Sequence, residues 1–154
     1  MDTQELVTFI HEAAMETYLK PGIMPSVTPF RPKCDEFSYV REGWRYHDSY
    51  AWKQDGGGEI LVYFKDDPVW VMNYYGFLIG TNDAKEVYGF LHEALKLTHP
   101  TLPVRGDAHV DSVRGLRYEV EYSRIEIANF VGVERIFKNE VLVYECYLHG
   151  GFVR

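Results

Sequence analysis

Residues 9–13 read Phe-Ile-His-Glu-Ala, and residues 90–94, 81 positions on, read Phe-Leu-His-Glu-Ala. Four more matches follow in the same order. Thr28-Pro29-Phe30-Arg31 aligns with Leu102-Pro103-Val104-Arg105 at an offset of 74. Val40 through Tyr46 aligns with Val113 through Tyr118 once one residue is removed, at an offset of 72 for the tyrosines. Gly57-Gly58-Glu59 aligns with Gly132-Val133-Glu134 at 75, and Trp70–Gly76 with Tyr144–Gly150 at 74. Five colinear matches with so narrow a drift describe a duplicated half, too long in period for a solenoid repeat. The chain is therefore expected to fold as a single domain, 1–154, with pseudo-repeats at approximately 3–78 and 83–152.

Each copy opens with a helix. Over residues 3–18, Leu6, Phe9, Ile10, Ala13 and Thr17 fall on one face at helical spacing. Asp2 and Glu5 read as a capping box, and Pro21-Gly22 as the stop. Residues 83–97 repeat the pattern through Val87, Leu91, Ala94 and Leu95, with His99-Pro100 closing it. Period-2 segments follow at 44–50, 58–65 and 69–77, and again at 116–124, 130–138 and 141–149. Lys65–Pro68 and Lys138–Glu140 read as hairpin turns, as does Gly56-Gly57-Gly58, while 19–42 and 98–112 read as structured loops. The expected fold class is α+β, a helix-plus-three-strand unit used twice. It gives an antiparallel sheet of about six strands with two helices on one face.

Charge and cysteine content narrow the partners. A net charge of −7 over 154 residues argues against direct binding to nucleic acid or to anionic membranes. The two cysteines, Cys34 and Cys146, have neither metal-ligand spacing nor a disulfide framework. The start, MDTQELVTF, lacks the basic and apolar regions of a signal peptide, and no apolar run reaches the roughly 20 residues that span a bilayer. A cytoplasmic setting is expected, as monomer or homodimer, with no cofactor and no metal. Aromatic residues make up 16% of the chain, including 12 Tyr, which suits either pocket walls or ordinary strands.

Alternation sorts candidate site residues. Trp44, Tyr46, Asp48 and Tyr50 share a face, and their counterparts are Leu116, Tyr118, Val120 and Tyr122. Asp48 thus stands where the sister copy has valine. Two readings are open: an Asp satisfied by Tyr hydroxyls or backbone, or a carboxylate that anchors a ligand. Glu59 and Glu134 recur in Gly-x-Glu settings, and either pin each half or form a paired cation site. Arg31 and Arg105 recur before the first strand of each half, to clamp a carboxylate or to bridge to one of these glutamates. In the last strand of each half, Trp70, Met72 and Tyr74, and Leu142, Tyr144, Cys146 and Leu148, read as core. The opposite faces, with Asn73 and Tyr75 in one half and Val143, Glu145, Tyr147 and His149 in the other, are amphipathic. His11 and His92 lack the second histidine of a zinc-protease helix and read as packing. His47 and Asp48, like Cys146 and His149, point to opposite faces, which weakens a metal dyad or a Cys-His nucleophile.

Four segments together resemble a bacterial family of uncharacterised domains: Tyr46-His47-Asp48-Ser49-Tyr50, Pro68–Gly76, Pro103-Val104-Arg105-Gly106 and Val143–Gly151. The resemblance implies a domain found alone or after an Xre-type helix-turn-helix DNA-binding domain, and hence a sensor role. By analogy only, the plan is also similar to duplicated effector-binding domains that hold cationic compounds between aromatic walls with a central glutamate; their helix order differs.

The leading expectation is a small-molecule-binding or sensor module. Its site would draw on Tyr46, Asp48, Tyr50, Glu59, Trp70, Asn73, Tyr75, Glu134, Glu145, Tyr147 and His149. One alternative is an enzyme using Asp48, Glu145 or His149 in acid–base chemistry, which requires them to converge. The other is a protein-interaction or dimerisation domain built on the aromatics.

Overall fold

The structure, a computed structural model, describes residues 2–99, 102 and 105–154. Pro100 and the Pro103-Val104 pair of the repeat lie outside the described residues. The fold is α+β, two helices and an eight-stranded antiparallel open sheet. In chain order the elements are α1 (Thr3–Glu16), β1 (Asp35–Arg41), β2 (Trp44–Trp52), β3 (Gly56–Phe64), β4 (Asp67–Leu78), α2 (Ala84–Leu95), β5 (His109–Asp111), β6 (Leu116–Glu126), β7 (Asn129–Lys138) and β8 (Val141–Phe152). The sheet order is β1-β2-β3-β4-β8-β7-β6-β5. Each half is a helix followed by a four-stranded meander, and the two meanders join through their last strands.

The expected six strands become eight because β1 and β5 lie inside the segments read as loops. Both are edge strands. β5 is three residues long, and β1 carries Asp35, Glu36 and Arg41, so neither offers a long apolar edge. Gly56–Gly58 is not a turn: these residues pair with Trp52, Ala51 and Tyr50 inside β3. Three two-residue turns, at Glu42-Gly43, Lys65-Asp66 and Asn139-Glu140, have positive φ at both positions. That geometry matches the twist of the flanking strands.

The helices bury matching positions. α1 buries Leu6, Phe9, Ile10, Ala13 and Ala14, and α2 buries Val87, Phe90, Leu91, Ala94 and Leu95, the same five positions 81 apart. Other matched motifs turn out to be contact partners. Glu12 accepts from Arg41 and Glu93 accepts from Arg114, with Arg41 over the Phe9 ring and Arg114 over Phe90. The predicted capping box is not formed. The Asp2 side chain accepts from the Gln4 amide, and Glu5 instead accepts from the Trp44 indole at 3.1 Å.

Two core clusters form on one sheet face. α1 packs on Trp44, Tyr46, Ile60, Val62, Trp70, Met72 and Leu148. α2 packs on Leu116, Tyr118, Ile136, Tyr144 and Cys146. Val143, expected on the opposite face, is buried with the second cluster because β8 carries a bulge there: Ile136 pairs with Tyr144 and Phe137 with Leu142. At the seam Tyr74 pairs with Leu148, its own counterpart at offset 74, and Tyr74 packs against both clusters. No helix among the described residues is long and apolar enough to cross a membrane.

Candidate functional site

Where the two clusters meet, the helices part and leave a cleft of about 670 Å³, within the usual range for small-molecule sites. Its floor is sheet: Asp48, Ile60, Tyr74 and Tyr144. Tyr50 and Trp52 of β2 and Tyr88 of α2 form one wall, and Leu91, His92 and Leu95 of α2 form another. The rim is the segment leaving α1, Tyr18 through Ile23, with Asp35 and Lys96 around it, and buried Arg105 also lines the cleft. Leu19 from that segment buries in the second cluster, so the strap crosses from the first half to the second.

Glycines admit the aromatic floor. Tyr74 lies across its cross-strand partner Gly58 to reach β2. A Cβ on Gly58 would sit 2.6 Å from the Tyr74 hydroxyl and 2.5 Å from the Tyr50 Cβ. A Cβ on Gly76 would sit 2.7 Å from the Tyr144 hydroxyl and 3.0 Å from the Trp52 ring. Tyr88 meets Trp52 and Tyr144 edge-on, at 5.6 and 5.8 Å between centroids. Its hydroxyl donates to the Gln54 carbonyl and so ties α2 to the β2–β3 turn.

At the floor the Tyr74 hydroxyl donates to Asp48 Oδ1 at 2.9 Å. Asp48 is only 3% exposed. Burial pushes its carboxyl from 3.8 up to about 7, against the opposing pull of that hydrogen bond and of Arg105. Tyr46, two residues away on the same face of β2, has a buried hydroxyl without a hydrogen-bond partner among the described residues. Beside the cleft Arg105 and Glu134 form a buried two-pronged ion pair, with Nε donating to Oε2 at 2.9 Å. Tyr118 and Tyr144 also donate to Glu134, at 2.8 and 3.3 Å. Burial pushes the hydroxyls of Tyr18, Tyr50 and Tyr88 up to about 12. It pushes His92 below its ordinary 6.5, with help from Arg105 and Lys96. Asp48 is thus a cleft carboxyl whose proton affinity burial raises towards neutrality.

A family model described as a domain of unknown function (DUF5680) matches residues 48–153, more than half of the chain. The chain belongs to that family. No curated protein and no solved structure matches it. The DUF5680 segment begins at Asp48 and takes in Tyr74, Arg105, Glu134 and Tyr144, while Tyr18 lies before it.

The DUF5680 sheet divides the predicted site residues between its two faces. Asp48 and Tyr50 line the cleft, and Tyr46 is buried next to them. Trp70 is core: it stacks on Phe130 and donates its indole N–H to the Ile127 carbonyl at 2.9 Å. Asn73, Tyr75, Glu145, Tyr147 and His149 lie on the opposite face, where Asn73 pairs with His149 and Tyr75 with Tyr147 across the seam. There Glu145 accepts from Arg135 and from the Tyr147 hydroxyl, at 2.8 and 2.6 Å. Asp48 and His149 therefore do not converge, and one pocket containing both is ruled out by the pleat.

Glu59 and Glu134 are not twofold mates. Asp48 pairs with Ile60, and its counterpart Val120 pairs with Glu134. The structural counterpart of Glu134 is thus Ile60, and Glu59 points to the opposite face. The arginine reading survives this correction: Arg31 pairs with Glu59 at 2.9 Å and Arg105 with Glu134. Each half buries one carboxylate towards its helix, on β2 in the first and on β7 in the second.

The sequence did not single out Tyr18, Trp52 or Tyr88 for the site, and it assigned Tyr74 to the core. The one signal for Tyr74 was its position on the same face as Trp70 and Met72, opposite a glycine in β3.

Proposed function

We propose that this domain binds a small molecule in the cleft between α1, α2 and the sheet. The observation that carries the reading is Asp48. A carboxyl has been placed at the bottom of an aromatic-walled cavity with one tyrosine hydroxyl as its hydrogen-bonding partner among the described residues. Burial of that kind is costly and needs a compensating partner, and a ligand carrying a hydrogen-bond donor supplies it. Tyr50, Trp52 and Tyr88 give flat apolar surfaces on which an aromatic or aliphatic body can rest.

A thermal-shift screen of metabolites tests this. A ligand at about 100 times its Kd adds roughly 2.7 kcal/mol of stability. Binders should lose their shift when Ile60→Trp fills the floor. A binder indifferent to that change would place the site elsewhere.

A protein-interaction role has its own supporting observation on the opposite face, where Tyr75 and Tyr147 face each other across the seam while 53% and 50% exposed. Sedimentation of the wild type and of Tyr75→Ser/Tyr147→Ser separates the two readings: identical monomer masses would leave that face without a self-association role.

A further inference from the structure

The buried charges on the helix side of the sheet do not balance. Among the described residues, three acidic or basic side chains lie there nearly out of water: Asp48, Arg105 and Glu134. Arg105 and Glu134 neutralise each other through two parallel hydrogen bonds, and Tyr118 and Tyr144 complete the glutamate's partners. Arg105 is therefore committed and is a poor anchor for an anion. Ionised Asp48 is left as the uncompensated charge, one negative unit at the floor of a cavity that a small molecule can enter.

The surroundings suit a positive partner. The Tyr50, Trp52 and Tyr88 rings line the same space, and aromatic faces attract cations. The rim is balanced: Lys20 is paired with Glu16 at 2.8 Å, and Asp35 stands with Lys96 around the opening. The chain's net charge of −7 draws cations towards it.

Building on the small-molecule reading, we propose that the ligand is an organic ammonium, its nitrogen set against Asp48 and its hydrocarbon body between Trp52 and Leu91, and that it enters in exchange for a proton. One cation comes in, the Asp48 carboxyl releases its proton to solvent, and the charge enclosed in the cleft is unchanged.

The other titratable groups facing Asp48 do not interfere near neutrality. From β2, β4 and β8, Tyr46, Tyr50, Tyr74 and Tyr144 are all held protonated by burial. So is Tyr18 on the strap. Burial and the cations beside it hold His92 on α2 below its ordinary 6.5, and Asp48→Asn separates any remaining histidine contribution from that of the carboxyl. Arg105 stays charged because Glu134 outweighs its own burial. Proton release on binding thus reports Asp48.

The test is calorimetric titration of the full chain with phenethylamine, phenethyl alcohol and phenylacetate, which share a body and differ in charge. Each titration is run in two buffers of different ionisation heat. Phenethylamine should bind best, release about one proton at pH 6 and few at pH 8, and gain about tenfold in affinity over that interval. Asp48→Asn should weaken the amine at least tenfold and abolish the proton release. The wild-type proton count stands whether or not the variant folds. If the alcohol or phenylacetate binds as well as the amine, or the amine binds without releasing a proton, the ammonium assignment is overturned and the cleft reading stands. If none of the three binds at millimolar concentration, the ammonium assignment is overturned, and the metabolite screen with Ile60→Trp decides the cleft reading separately.

Discussion

Replacing Asp48 by Asn should stabilise the protein at alkaline pH and leave it nearly unchanged in acid. Asn keeps the shape and an acceptor for the Tyr74 hydroxyl but carries no charge. In the native protein burial raises the carboxyl to about 7, against an ordinary 3.8. Each factor of ten in proton affinity is worth about 1.4 kcal/mol, so ionising Asp48 in place costs on the order of 4 kcal/mol. The sign follows from proton uptake. Between those two values the folded chain holds more protons than the unfolded one, so stability falls as pH rises. The contribution is complete below 3.8 and is lost as pH climbs through 7. Between pH 5 and pH 8 the wild type should lose roughly 2–3 kcal/mol relative to Asp48→Asn. Urea denaturation followed by tryptophan fluorescence measures both curves, and subtracting them removes every other titrating group. Parallel curves, moving together within about 0.5 kcal/mol, would show that Asp48 is solvated or already compensated. The cleft would then lose its uncompensated charge.

Arg105→Ala should destabilise by about 3–5 kcal/mol, because Glu134 is left buried without its cation. Arg105→Met combined with Glu134→Gln should lose less than that single change in chemical denaturation, and a larger loss would contradict the pairing. Gly58→Ala should destabilise by about 1–3 kcal/mol, since the new methyl occupies the path of Tyr74; an unchanged melting temperature would mean that Tyr74 does not cross there. Glu36 is buried, which raises its proton affinity, but the Phe30 and Arg31 amides, His47 and Ser49 together bring its carboxyl down to about 2. Its stabilisation is present above 4.5 and is lost as pH falls towards 2. Acid titration should therefore show the wild type and Glu36→Gln converging over that interval, and a gap that stays constant would refute the linkage.

How far the fold was legible depended on the length and regularity of each signal. Both helices carry five apolar positions at helical spacing behind an Asp cap, and they form where expected. The hairpins closing each half were legible from Lys65–Pro68 and Lys138–Glu140, of which the turns themselves are Lys65-Asp66 and Asn139-Glu140. β1 was hidden in a segment rich in proline and glycine, although Phe37 and Tyr39 alternate ahead of the Glu42-Gly43 turn. β5, at three residues, is too short to show a period. Matching Glu59 to Glu134 was a slip of a single residue, and in a strand that exchanges one face for the other. Asp48 stood out because its sister is Val120, and that contrast needed no structure. Period-2 alternation tells which residues share a face. It does not tell which face receives the helices, so Tyr75, Tyr147 and His149 were grouped with Asp48. The aromatic walls come from β2, β4, β8, α2 and the strap after α1, and no local pattern marks residues gathered from five places.

The transposed carboxylate has a consequence for how this domain tolerates change. In the second half the acid is locked to its arginine and two tyrosines, a closed circuit with nothing left to offer. In the first half the equivalent layer holds an acid with a free hand. On the small-molecule proposal the two halves divide the work, one serving as ballast and the other as instrument. Substitutions around Glu134 should be read in melting temperature, and substitutions around Asp48 in affinity and its pH profile.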